Sequence, residues 1–444
     1  FRAGTARNVV ATSHGQLRLA RASATAFSGD ARVVSINAVL EAPDGSLLAA
    51  TAPGGLLLRI KDAKAQDLAA FDEPSIQCLL ADPQGRILIG TAGERGRVYR
   101  LDRLDGKPVE VFSNERVQYV WSMATTADGA ILAATGPNGL LFEIAPDGTS
   151  RILLSLPEAN LLSLTTDGKD LVYVGTDPGG QVWRYNRRTR ESFVLLDAAA
   201  SEVSALLLDG QGNLYAATGQ AGIPPAERPA AAPAVGRPGT RPATSPIPSP
   251  PPSAKPDEAE PIAPPGDAIR RGQAASISRW FEVMAEMEEE EEESPGPPGL
   301  ATQPHSRPQP APTPPAQPPA DGNAVYRIDP QGFVVEVFRD PAPLLALALA
   351  GRTLLVGGGS TVFELDPETD EVAPAVRIES AQVMSLASRR SGQTLVGAAT
   401  PGAIVELSAK LAAAGEYTSP VLDAAHVSRF GAMRFLGSLP RGTT

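Results

Sequence analysis

One order of residues returns along most of the chain: an apolar strand, a turn such as Asp-Gly, a second strand ending in Gly-Thr or Ala-Thr, a glycine turn and a third strand. It reads SINAVLEAPDGSLLAATAPGGLLLRI from Ser35, SIQCLLADPQGRILIGTAGERGRVYRLD from Ser75 and YVWSMATTADGAILAATGPNGLLFEI from Tyr119. Weaker copies start at Asn160, Glu202, Pro343 and Gln382, which makes seven. Threonines mark the end of the second strand. Thr51, Thr91, Thr135, Thr176 and Thr218 follow one another at steps of 40, 44, 41 and 42 residues, and Gly358 and Thr400 lie 42 apart. Only the step from Thr218 to Gly358 breaks the period, at 140 residues, and without the 101 residues from Gly222 to Gly322 it becomes 39. An insert therefore interrupts the fifth copy, between the strands of AATGQA and NAVYRID.

Short β-branched runs bounded by Asp-Gly and Gly-Gly turns form hairpins, and a period near 40 with three or four strands is the length of one blade of a radial array. A lone blade cannot bury both faces, whereas blades stacked around an axis bury them and leave only short edges. The sequence thus predicts an all-β fold, a seven-bladed β-propeller with a long disordered insert in blade five. Two columns support the stacking. At one position of the first strand stand Ala38, Cys78, Ser122, Ser163, Ala205, Ala346 and Ser385, all small, as a crowded axial strand requires. Two residues earlier stand Ile36, Ile76, Val120, Leu161, Val203, Leu344 and Val383, expected to wedge between blades. In the third strand a charged column, Arg59, Arg100, Glu143, Arg184, Arg327, Glu364 and Glu406, is expected at a solvated or salt-bridged outer edge.

The repeated phrase resembles periplasmic two-component-regulator propellers and, more loosely, WD-repeat-like bacterial propellers, over about three quarters of the chain. The aromatic and His-Asp signatures of true WD repeats are absent. The resemblance implies a fold and no ligand. It also implies a bacterial periplasmic or extracellular location, and it makes the tail GEYTSPVLDAAHVSRFGAMRF look like the junction into a truncated C-terminal β-domain. The expected division is residues 1–34 as N-terminal strands that could close the ring, 35–221 as blades one to five, 222–322 as insert, 323–414 as the remaining blades, and 415–444 as a final strand or that junction. The last strand of blade seven is expected from the segment around Asn8 to Arg21 or from Tyr417 to Asp423.

The insert holds 26 of the 43 prolines and cannot form a packed core. One proline-free island, 266–293, spaces Ile277, Trp280, Phe281, Met284 and Met287 at helical intervals and ends in six consecutive glutamates. Such a stripe reads as a helix-in-groove motif for a protein partner, or else as a transient helix or one that rests on its own propeller.

The net charge of -11 argues against nucleic acid as the partner. No apolar run approaches the roughly 18 residues of a membrane span. A single cysteine, Cys78, offers neither a disulfide nor a thiolate cluster, and His14, His305 and His426 stand without spaced partners. No phosphate loop or nucleophile elbow is present. The sequence names no catalytic residue, no metal ligand set and no cofactor. What remains is the channel mouth, where loops lead into the first strands: Asn37, Gln77, Tyr119, Trp121, Asn160, Glu202 and Gln382. These amides, aromatics and one carboxylate suit a protein, peptide or glycan ligand, or they simply hydrate the channel. The leading reading is a non-enzymatic binding module. The alternative is a propeller hydrolase resembling the gluconolactonase family, in which a divalent metal would fall to Glu202, Asn37 and Asn160. One carboxylate is a weak cage for calcium, which takes about 6–8 oxygens.

Overall fold

The computed structural model describes residues 5–29, 31–220 and 322–418, and every regular element among them is a β-strand. The chain starts with β1 (Thr5–Arg7), β2 (Val9–Ala11), β3 (Leu17–Leu19) and β4 (Arg21–Ser28). Antiparallel units of four consecutive strands follow. They are β5 (Ser35–Glu41), β6 (Leu47–Ala52), β7 (Leu56–Lys61) and β8 (Lys64–Ala70), then β9 (Ser75–Ala81), β10 (Ile87–Ala92), β11 (Arg97–Leu101) and β12 (Val109–Ser113). Next come β13 (Tyr119–Thr125), β14 (Ile131–Gly136), β15 (Leu140–Ile144) and β16 (Ser150–Ser155), then β17 (Asn160–Thr166), β18 (Leu171–Asp177), β19 (Gln181–Asn186) and β20 (Ser192–Asp197). Strands β21 (Val203–Leu208) and β22 (Leu214–Thr218) pair onward with β23 (Asn323–Ile328) and β24 (Val334–Asp340), and β25 (Leu344–Ala350), β26 (Thr353–Gly358), β27 (Thr361–Asp366) and β28 (Glu371–Arg377) form another unit. The last described strands are β29 (Gln382–Ser388), β30 (Thr394–Ala399), β31 (Ala403–Leu411) and β32 (Glu416–Thr418).

The outer neighbour of β31 is β4, with Ile404 opposite Phe27 and Leu407 opposite Ser23. Of the segments expected to supply this strand only Arg21 takes part, opposite Leu411. The reason is local: β2 and β3 consume each other as a hairpin, and Glu416–Thr418 pairs with β1. Residues 419–423 of the second expected segment lie outside the described residues.

The turns explain the repeat. Where Asp opens the first hairpin turn, its carboxylate accepts backbone N–H groups two and four residues on, as Asp82 does from Gln84 and Arg86, both at 2.9 Å. Gly85 follows at φ +80°, where a side chain would be strained. The anchor threonines are buried and close the second turn: Thr51 donates to the Leu56 carbonyl at 2.9 Å and accepts the Leu56 N–H at 3.2 Å. Thr218 makes the same pair with Ala324, 106 positions along the chain. The last anchor differs from Thr400, the residue the period points to. Val383 pairs with Ala398 as Ile36 pairs with Thr51, so Ala398 is the equivalent in the last unit and Thr400 lies beyond the strand. The Thr-Pro pair after the strand mimics the pattern two residues late.

Packing runs from unit to unit. First strands touch in order, β5 to β9, β13, β17, β21, β25 and β29, and β29 touches β5. The wedge column Ile36, Ile76, Val120, Leu161, Val203, Leu344 and Val383 is 0 % exposed at every position. The core is accordingly divided among the interfaces between units, as with Leu88, Val120, Ala133 and Phe142 on one side and Leu132, Leu161, Val172 and Tyr185 on the next. Of the two states expected for the charged third-strand column, the salt-bridged one holds at Glu143 and Glu364. Glu143 is buried under Arg151 and Arg187, and Glu364 is held by Arg18 and Arg21 from the N-terminal segment.

Candidate functional site at the axial cavity

A β-bulge in each first strand builds the site. In every four-strand unit the ladder between the first two strands skips one residue, for instance between Ile36 and Ala38 and between Val120 and Ser122. The skipped residues are Asn37, Gln77, Trp121, Leu162, Ser204, Leu345 and Met384. A bulge re-aims its side chain out of the pleat, and all seven of these residues line one axial cavity of about 260 Å³. The small column beside them supplies Ser122, Ser163, Ala205, Ala346 and Ser385 to the same wall.

A bulge also frees backbone groups, and neighbouring units satisfy them. Ser163 Oγ donates to the Val203 carbonyl at 2.8 Å, Ser204 Oγ to the Leu344 carbonyl at 2.5 Å, Asn37 Nδ2 to the Ile76 carbonyl at 3.0 Å and the Cys78 thiol to the Val120 carbonyl at 3.3 Å. Where Ala346 offers no donor, the Val383 carbonyl takes Gln382 Nε2 at 3.0 Å instead. Burial pushes the Cys78 thiol up to about 12, so it stays a neutral donor and is no nucleophile at neutral pH.

Of the residues expected at the mouth, Asn37, Gln77 and Trp121 line the cavity, and the other four do not. Tyr119, Asn160, Glu202 and Gln382 belong to a second column, two residues before the bulge, that supports the first. Tyr119 stacks on Trp121 with ring centroids 4.8 Å apart and planes 8° from parallel. Asn160 Oδ1 accepts the Trp121 indole N–H at 3.1 Å, and its Nδ2 donates to Asp177 at 2.8 Å. Gly136 makes room for this pair, since a Cβ there would lie 2.9 Å from Trp121 Nε1 and closer still to Asn160 Oδ1. The polar residues expected at the mouth thus fall in two columns. Leu162, Ser204, Leu345 and Met384 complete the first, at a place in the repeat, one residue before the small column, that the sequence itself marks.

No protein-family model matches the sequence, and no curated protein matches it. Solved structures do. The extracellular domain of a B. thetaiotaomicron protein described as a hybrid two-component system is 12 % identical, with a TM-score of 0.53 over 86 % of this chain and 39 % of that one. This chain thus spans about two fifths of that neighbour's length. Virginiamycin B lyase from Staphylococcus aureus is 13 % identical, with a TM-score of 0.54 over 87 % of this chain and 98 % of the lyase. The WD40 β-propeller domain of Doa1 is 8 % identical, with a TM-score of 0.54 over 88 % of this chain and 98 % of the domain. This chain is a β-propeller repeat protein. At these identities the likeness carries the fold alone.

In this propeller the donors that a gluconolactonase-like metal would need do not converge. Asn37 Oδ1 already accepts from Ser35 Oγ at 2.6 Å, Asn160 is engaged by Trp121 and Asp177, and Glu202, buried, is not among the residues lining the cavity. Among the described residues no three His, Cys, Asp or Glu side chains are grouped to hold a metal ion, and no helix is long and apolar enough to cross a membrane. The stripe Ile277, Trp280, Phe281, Met284 and Met287 lies outside the described residues.

Proposed function

We propose that this propeller is a non-enzymatic binding module, a closed ring of seven blades that takes a protein, peptide or glycan at the loop face of its axial channel. The observation that carries the reading is the bulge repeated in every first strand, which spends a ladder position in each unit to point a side chain at one axial cavity. The ring is supported by the order of contacts between first strands, which runs from β5 round to β29 and back to β5. Residues 222–322 form an insert in blade five whose Trp280, Phe281 and Met284 stripe makes a second, tethered contact with a partner. Support for the insert's position comes from its flanking strands, which pair directly, and from Asn323, whose Oδ1 accepts the Gln220 N–H at 2.6 Å. A periplasmic or extracellular location fits the extracellular neighbour and the bacterial resemblance.

The test immobilises the full chain against peptide and glycan arrays beside a Met384→Trp variant, which fills the cavity with a bulkier apolar side chain. Ligands bound by the parent and lost by the variant, with thermal unfolding unchanged, are the expected result. Array profiles that are the same for both proteins would remove the channel from the binding surface.

A further inference from the structure

Resting on the channel as the binding site, we infer that the group entering it is uncharged: an apolar or aromatic tip carrying one hydrogen-bond donor, such as the side chain and amide of a neutral peptide residue. None of the residues lining the cavity is charged. An ion brought against such a wall sheds hydration with no charge opposite to compensate it. The wall is also divided. Asn37, Gln77, Trp121 and Ser122 stand on adjacent first strands, and Leu162, Leu206, Leu345, Leu347, Met384 and Leu386 line the rest of the circuit with Ser163, Ser204 and Ser385 between them.

Most of the polar arc is already engaged. Asn37 Nδ2 donates to Ser75 Oγ at 3.2 Å and to the Ile76 carbonyl at 3.0 Å, and its Oδ1 accepts from Ser35. Trp121 gives its only N–H to Asn160 and one ring face to Tyr119, leaving apolar ring surface for the cavity. Gln77 donates Nε2 to Ser75 Oγ at 3.0 Å, and its carbonyl oxygen takes no partner among the described residues. That oxygen is an acceptor held in place by its own amide, so a group that meets it donates, while Ser385 Oγ, buried without a partner, is the open polar atom on the other arc. A volume of about 260 Å³ lies just below the roughly 300–1,000 Å³ of pockets that enclose a whole small ligand, so the cavity admits a tip. Trp121, locked by stack and hydrogen bond, and Gln77 are the residues that set specificity.

The experiment titrates the full chain with N-acetyl-leucinamide, N-acetyl-lysinamide and N-acetyl-aspartate amide, following the NMR signals of the Trp121 indole N–H and the Gln77 side-chain amide. The neutral probe should shift both signals saturably, with a Kd in the millimolar range expected for a fragment of its size. The charged probes should bind at least ~10-fold more weakly, a difference of about 1.4 kcal/mol. Gln77→Glu, which keeps shape and adds a charge, should weaken the neutral probe and bring the lysinamide probe above it. Leu345→Asp should weaken the neutral probe at least ~10-fold; should it fail to fold, Gln77→Glu alone decides. Charged probes that shift the parent's signals as strongly as the neutral one overturn the ligand class and leave the channel as the site. Failure of every probe to move either signal overturns both.

Discussion

At the scale of single residues, the contact between blades is a fit between two columns. The second strand carries Gly90, Gly175 and Gly357 where the wedge on the next unit is Val120, Val203 and Val383, and a Cβ on these glycines would meet the valine Cγ1 at 2.9, 2.6 and 2.6 Å. It carries Ala134 and Ala217 where the wedge is Leu161 and Leu344. Gly175→Ala should therefore cost about 1–3 kcal/mol by overpacking. Adding Val203→Leu, which recreates the Ser122, Ala134 and Leu161 set, should return part of that loss in a double-mutant cycle. Strictly additive unfolding energies would show that the columns are independent. The small and wedge columns were legible in the sequence because each has one volume class. The bulge between them was not, because a skipped ladder position leaves no mark in residue type and its occupants run from Ser204 to Trp121. The sequence therefore placed the small column at the axis, five of whose members line the cavity, but of the residues expected at the mouth only Asn37, Gln77 and Trp121 reach it.

At the scale of elements, the junction between the last unit and the first has its own fasteners. Where five other first turns carry Asp (Asp44, Asp82, Asp128, Asp167 and Asp209), this one carries Arg389 and Arg390. Arg389 reaches Glu41 at 3.1 Å, Glu406 at 2.6 Å and the Gly45 carbonyl at 3.2 Å, while the Arg390 N–H bonds Glu41 at 2.9 Å. Burial opposes ionisation of Glu41, yet the Arg390 N–H and the Arg389 guanidinium outweigh it and hold the carboxyl below its ordinary 4.5. Asp44 is drawn down to about 2, first by the Ser46 hydroxyl and then by Arg59. A carboxyl depressed in the folded state stabilises fully above its unfolded pKa and loses that contribution as pH falls through the folded value. Thermal unfolding should thus be flat from neutral pH to about 5, drop below about 4.5 and continue falling towards pH 2. Glu41→Gln should lower the neutral plateau and flatten the upper part of that drop. An acid profile identical in the variant would remove Glu41 from the junction's energetics.

At the scale of the whole molecule, the insert and the ring should be separable. The turn beneath the insert is already closed by Thr218 with Ala324 and by Gln220 with Asn323. Closure entropy grows only logarithmically with loop length. Exchanging 222–322 for a short glycine-containing turn should leave the ring folded and raise its thermal midpoint slightly, as scanning calorimetry would show. Loss of cooperative unfolding would instead make the insert part of the core. In the full chain, Trp280→Ala should weaken the partner contact proposed for the insert while leaving axial binding intact, and binding of both kinds unchanged would reduce the insert to a spacer. The sequence signal for this proposed organisation is the period, which survives subtraction of the insert.

The pairing of β4 with β31 also sets a clock. Phe27 and its partner Ile404 are 377 positions apart. With synthesis at about 5–20 residues per second, the N-terminal strand leaves the ribosome roughly 20–75 s before its partner exists. For that interval Arg18 and Arg21 have no Glu364 to hold for most of the time, and the edge that β4 will cover has not been made. Pairing of β4 with β31 is therefore a late event in the life of the growing chain, and the early strand waits for it without its partner.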